Sequence, residues 1–251
     1  MYEERAAPAV LRGVARCVWR SASEGPKRIV PDGCVDLVVG GGTAFVAGPD
    51  TAAWWSETEG VVSGVRLVPG RAAAVLGVAA DELRDRRVPV SELWGRSSAE
   101  RLVEGVVSPV SAVAERVTGV PPPDFAVAEL IARLEAGVAR VGDAAALLGR
   151  SGAAALGQPA AGGVSERRLR RRFVQAVGYG PATYLRVSRF QRAVALAPRV
   201  PGLAALAAAA GYADQAHLSR DCRALTGLTP RDYFGGRSTV DVAVRDRLRS
   251  A

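Results

Sequence analysis

The stretch "LAALAAAAGYADQAHLSRDCRALTGLTP" runs from Leu203 to Pro230. It holds His217, the one histidine among 251 residues, and Cys222, one of three cysteines. A base beside a thiol invites a catalytic reading. Helical geometry argues against it: five residues apart, the two side chains point about 140° away from each other. Leu203 to Ala210 reads as a short helix. Gly211 suits the tight turn after it, because glycine tolerates positive φ. Asp214 suits the N-cap of a second helix. On that helix Leu218, Cys222 and Leu225 fall at i, i+4 and i+7 and form one inward stripe. Ala216, Arg220 and Arg223 point the opposite way, with His217 and Ser219 on the flanks. Gly227 ends the helix. A short helix, a glycine turn and a second helix with a polar outer face spell a helix-turn-helix.

The same grammar appears upstream in "GVSERRLRRRFVQAVGYGP", Gly163 to Pro181. Ser165 can cap a helix whose inner face carries Leu169, Phe173 and Ala176. Its outer face carries Arg167, Arg170 and Arg171, with Arg168 on the flank. Both units end in G-x-x-P-x-x-Y, at Gly178 to Tyr184 and at Gly227 to Tyr233. "ATYLRVSRFQRAVALA" between them reads as one connecting helix. The first unit's leading helix is poorly written, because Pro159 and several glycines occupy its place.

Charge follows the same division. Residues 165–237 carry 13 arginines against 4 acidic residues, a balance of +9, whereas the rest of the chain sums to −1. A concentrated basic block suits an anionic polymer, although a solvated charged face is the plain alternative. The three cysteines form no C-x-x-C pair, which fits a reducing cytoplasm and argues against a zinc cluster. No signal-type or membrane-spanning apolar run appears.

The N-terminal part reads as small strands and turns. "RIVPDGCVDLVV" (Arg28–Val39) reads as a strand with Gly33 as a bulge, "TAFVAG" as its return, and "GVVSGVRLVPG" as a further strand. Helices then take over: one from Pro69, one capped by Ser91, one broken or kinked near Pro109. A last one follows Asp124, with Phe125, Leu130, Ile131 and Leu134 at helical spacing. The predicted class is α+β: a small antiparallel sheet or barrel with helices, then an all-α tandem helix-turn-helix. The expected boundaries are residues 1–120, a helical linker over 121–163, the DNA-binding unit over 164–237, and a tail over 238–251.

The paired units resemble the C-terminal DNA-binding domain of AraC/XylS-family transcription regulators. "AAAAGYADQAHLSRDCRALTGLTPRDYF" carries most of the likeness, and Arg189 and Ala193 of the connecting helix add to it. The resemblance implies two recognition helices in successive major grooves of double-stranded DNA. It puts base-reading positions at Arg167, Arg170 and Arg171, and at Gln215, Ala216, His217 and Arg220; Arg168 and Arg223 complete the expected contact set. Cys222 stands where the family usually has a large apolar residue. The N-terminal fragments "VPDGCVDLVV", "GVRLVPGRAAAVLGV" and "DRRVPVSELWG" resemble sensor domains attached to some of these regulators, which are often cupin-like.

The resemblance therefore implies a cytoplasmic regulator, monomeric or homodimeric, with DNA, a small-molecule effector and RNA polymerase as partners. No catalytic residue, metal or cofactor is expected; the N-terminal region has no histidine to build a metal-binding cupin. Trp19, Asp36, Trp54, Trp55 and Arg66 are the effector-binding candidates. Core packing, turns and strand edges remain the alternative for each. Two rivals stand beside this reading: a first domain that serves only protein assembly, and an enzyme carrying a basic appendage.

Overall fold

The computed structural model describes residues 1–117, 121–139 and 165–235. The N-terminal part contains β1 (Tyr2–Ala6), β2 (Ala15–Ser23), β3 (Lys27–Ile29), β4 (Asp36–Gly40), β5 (Thr43–Ala47), β6 (Trp54–Ser56), β7 (Gly60–Leu67) and β8 (Arg87–Pro89). Its helices are α1 (Ala72–Leu76), α2 (Val90–Trp94), α3 (Arg96–Val103) and α4 (Pro109–Val117). Six strands make one antiparallel sheet in the order β1-β2-β7-β4-β5-β8, so β1 and β8 are its edges. β3 and β6 pair separately as a two-stranded ribbon.

Strand alternation gives the sheet two distinct faces. Leu37, Val46, Val65 and Leu67 are all essentially buried and pack against the helices, with Leu76 and Val113 in the same core. Their neighbours Asp36, Val38, Phe45, Val62 and Arg66 face the other way, toward the ribbon. Gly64 sits in the middle of that second face. A methyl there would fall 2.5 Å from Trp19 Cζ2 and 2.6 Å from the Leu37 carbonyl oxygen, so only glycine lets the indole lie so close to the sheet.

A second core lies in the C-terminal helices: α5 (Phe125–Ala139), α6 (Glu166–Val177), α7 (Pro181–Leu196), α8 (Leu203–Ala209), α9 (Gln215–Thr226) and α10 (Pro230–Gly235). Leu130, Phe173, Tyr184, Phe190, Leu218 and Leu225 anchor it. α5 falls in the expected linker region, yet its Val127, Leu130, Leu134 and Val138 are buried, the first three in this core.

Several local expectations differ from the structure. Arg28–Val39 is two strands in two sheets. Pro31 interrupts the pairing, Gly33 takes φ +84°, and Asp32 Oδ1 accepts from the Cys34 amide at 3.0 Å. Ser91 does not cap α2; the helix begins at Val90 after Pro89. Pro109 starts α4 rather than kinking a longer helix, and Ser108 Oγ accepts from the Ser111 amide at 3.0 Å. This is the position where proline's missing N–H costs nothing. Asp124 does cap α5, accepting from Ala126 and Val127. Phe125, read at helical spacing with Leu130, Ile131 and Leu134, is 77% exposed, and Val127 takes the inward place beside those three. The leading helix of the first unit, Pro159 included, and the tail lie outside the described residues.

The two cores meet along a polar seam. The Ala80 amide donates to the Gln175 carbonyl at 2.8 Å, and the Ala53 amide donates to the Leu225 carbonyl at 2.8 Å. Gln191 Nε2 donates to the Pro31 carbonyl at 2.6 Å, and Arg84 donates to the Gly178 carbonyl at 3.3 Å. Arg28 donates to the Thr226 carbonyl. The seam thus touches α6 and α9 at their C-terminal ends and leaves their outer faces uncovered.

Candidate functional site

The second unit folds as its residues dictate. Asp214 Oδ1 accepts from the His217 amide at 2.6 Å, which starts α9. Gly211 takes φ +84° in the turn after α8, and Gly227 takes φ +73° at the end of α9. Leu218, Cys222 and Leu225 are completely buried. Removing one such leucine side chain costs about 2–5 kcal/mol. Gln215, Ala216, Arg220 and Arg223 are exposed.

The first unit repeats the pattern. Ser165 Oγ accepts from the Arg168 amide at 3.4 Å and begins α6. Leu169, Phe173 and Val177 are buried, with Ala176 half-buried beside them. Arg167, Arg168, Arg170 and Arg171 are all exposed. Arg172, on the same helix, is instead engaged with the Asp124 carboxylate. Both G-x-x-P endings have one geometry: Gly178 and Gly227 are left-handed, and Pro181 and Pro230 each open the next helix.

His217 departs from the expected outward set. Its side chain is 25% exposed. Nε2 lies 3.4 Å from Arg189 Nη1 and 3.8 Å from Asp221 Oδ2, and the ring meets Tyr212 edge-on at 5.0 Å. Arg189, on the connecting helix, is almost wholly buried, and burial lowers its pKa. Burial raises the Asp221 carboxyl, against the pull of His217 and nearby arginines. A flank position at this pitch can turn inward when the neighbouring helix offers polar partners. Cys222 is buried, and desolvation pushes its thiol up to about 11, which makes it a packing residue.

In the N-terminal domain Trp19, Asp36, Trp54 and Arg66 come together. They line a partly open cavity of about 80 Å³ with Tyr2, Lys27, Phe45 and others. At its floor Arg66 is buried and ion-paired with Glu4 at 2.9 Å, Asp36 at 2.9 Å and Asp32 at 3.0 Å. Burial raises the Asp36 carboxyl despite that pairing. Trp55 does not join them. Alternation along β6 turns it to the outer side of the ribbon, 56% exposed, with the Arg28 guanidinium 4.8 Å from its ring. Sequence reasoning missed Tyr2, Lys27 and Ile29 as lining residues. Period-2 alternation over 27–29 and 54–56 was the available signal, but two three-residue strands are too short to announce themselves.

Two capped helices keep their polar faces open while their apolar faces build a common core, the arrangement that helix-turn-helix units use. Residues 160–236 match the family described as Helix-turn-helix domain. Residues 3–89 match a Domain of unknown function (DUF6597). The chain therefore carries an AraC-type helix-turn-helix domain at its C-terminus, joined to a DUF6597 domain at its N-terminus.

A search of curated proteins finds no match. Among solved structures the chain is similar to ToxT from Vibrio cholerae in its P21 crystal form, at 10% identity and TM-score 0.41, covering 93% of this chain and 98% of that one. It is also similar to ToxT from Vibrio cholerae O395 bound to (E)-4-(8-methylnaphthalen-1-yl)but-3-enoic acid, at 11% identity and TM-score 0.40, covering 93% and 98%. Among the described residues no helix is long and apolar enough to cross a membrane, and no group of three or more His, Cys, Asp or Glu could hold a metal ion.

Proposed function

We propose that α6 and α9 read successive major grooves on one face of double-stranded DNA, under the control of the N-terminal domain. The observation that carries this is the exposure shared by the two units: Arg167, Arg168, Arg170 and Arg171 exposed on α6, Gln215, Arg220 and Arg223 exposed on α9, and the seam meeting these two helices only at their C-terminal ends. Arginine pairs with guanine O6 and N7, and glutamine with adenine. Gln215 and Arg220 are the base-reading candidates of α9. Arg167, Arg170 and Arg171 favour a guanine-containing half-site. Arg168 and Arg223 fit phosphate contacts, which position the protein without reading sequence. Ala216 leaves room for close approach to a base edge.

The N-terminal domain serves as an effector module, with Trp19, Asp36, Trp54 and Arg66 around its cavity. The chain acts in the cytoplasm without catalysis, as a monomer or homodimer, and RNA polymerase is the partner through which it would activate. Selection from a random DNA library at moderate salt tests the reading. The expected result is a bipartite site with half-sites about 34 Å apart. No preferred sequence would overturn it.

A further inference from the structure

We infer that the cavity between the β3–β6 ribbon and the main sheet binds a compact, flat molecule bearing hydrogen-bond acceptors, and that the ribbon passes its occupancy to the C-terminal end of α9. The inference rests on the proposed reading of DNA by α9 and supplies the ligand class and the route of control.

The chemistry of the cavity selects the ligand. Its walls include Tyr2, Trp19, Phe45 and Trp54, which favours a flat, apolar body. The polar groups on offer are mainly donors. The indole N–H groups of Trp19 and Trp54 are buried and make no hydrogen bond. Lys27, which donates to Ser21 Oγ, adds positive charge to the same wall. The one carboxylate of the lining, Asp36, already receives both Nε and Nη2 of Arg66, at 3.1 and 2.9 Å. A ligand that accepts hydrogen bonds therefore gains more than one that donates them. Size narrows the class further. The cavity holds about 80 Å³. An engineered cavity of about 150 Å³ binds benzene. A single ring fits here only with part of the molecule at the open mouth.

The ribbon has two working faces. Lys27, Ile29, Trp54 and Ser56 line the cavity. Arg28 and Trp55, cross-strand partners, occupy the other face. There Arg28 donates to the Thr226 carbonyl, and the Ala53 amide, one residue before β6, donates to the Leu225 carbonyl at 2.8 Å. These are carbonyls of the last turn of α9, which has no helical N–H left to satisfy them. The ribbon makes no backbone strand pairing with the six-stranded sheet; the Lys27 side chain reaches it at Ser21. A two-stranded ribbon of this length has little stability of its own, so a molecule beneath it shifts it easily. Any shift acts on α9 through Arg28 and Ala53.

The test uses the full chain with three single-ring probes: acetophenone, benzoate and benzamidine. Binding is read by tryptophan fluorescence and calorimetry, and affinity for a selected DNA site is read by anisotropy. Acetophenone and benzoate should bind about tenfold or more tightly than the donor benzamidine, and should change DNA affinity by about threefold or more. Ala47→Leu, which fills the cavity, should abolish probe binding and leave DNA selection intact. Arg28→Ala, and Trp55→Ala as a milder variant, should keep probe binding and the probe-free DNA preference but lose the probe's effect on DNA. Equal or tighter binding of benzamidine, binding that survives Ala47→Leu, or a probe effect that survives both outer-face variants would overturn the inference. Absence of DNA preference in the probe-free protein would instead sink the proposed reading of DNA.

Discussion

Arg189 Nη1 and His217 Nε2 lie 3.4 Å apart, so the single histidine joins the connecting helix α7 to α9 beneath the exposed face of α9. His217→Ala should therefore act on stability. Loss of its polar and ring contacts should cost about 1–2 kcal/mol in urea denaturation. The preferred DNA sequence should stay the same. A changed base at one position without loss of stability would show that the ring reads DNA after all.

Arg220 should behave in the opposite way. It is exposed on α9. Arg220→Ala should alter preference at one base position by about 1–3 kcal/mol. Arg168→Ala should weaken all sequences about equally and lower the salt slope by about 1. Binding at several salt concentrations separates the two behaviours.

Arg66 is the structural keystone of the cavity floor. Its loss would strand three carboxylates, Glu4, Asp32 and Asp36, close together in a buried place. Arg66→Met should cost about 3–5 kcal/mol. Chemical denaturation followed by tryptophan fluorescence measures it, because Trp19 lines the same cavity.

Asp50 should give the fold a pH dependence. Burial pushes its carboxyl up to about 6, against the opposing pull of Arg87. The unfolded chain releases that proton near the ordinary carboxylate value of about 4. Between these values the folded state holds more protons than the unfolded one. The contribution of this group is thus fully present below about pH 4 and is lost as pH rises through about 6. Denaturation midpoints across that window should carry this falling component. Asp50→Asn should remove it while lowering stability overall, since Arg87 loses its bidentate partner at 2.8 Å.

Gly178 ties the first recognition helix to the seam. Its φ is +99°, and a methyl there would fall 2.3 Å from Pro49 Cγ and 3.0 Å from the Ala80 carbonyl oxygen. Gly178→Ala should destabilise the protein by more than about 1 kcal/mol, whereas Gly202→Ala, which meets nothing within 4 Å, should cost only the strain of its positive φ. Paired thermal melts distinguish these effects.

The helical half was legible because its signals are local. Ser165 and Asp214 cap, Gly178 and Gly227 terminate, and the i, i+4, i+7 stripe at Leu218, Cys222 and Leu225 points inward on periodicity alone. The N-terminal half was only partly legible. β1 turns a charged residue, Glu4, inward to pair with Arg66, which spoils its apolar-inward pattern, and β3 and β6 hold three residues each. Their pairing is set by contacts far apart in sequence, which propensity does not encode. His217 was misplaced for a similar reason. Its partner Arg189 is 28 residues away on another helix.

The segment from Pro49 to Ala53 has a consequence of its own. Pro49 abuts Gly178 at the end of α6, and the Ala53 amide holds the Leu225 carbonyl at the end of α9. Four residue steps of extended chain reach at most about 14 Å. The tails of the two reading heads are therefore staked to a short ruler made of backbone that lies in the other domain. Inserting one residue within it would change the pitch between the heads, and with it the spacing of DNA the protein accepts, without altering any residue proposed to touch a base.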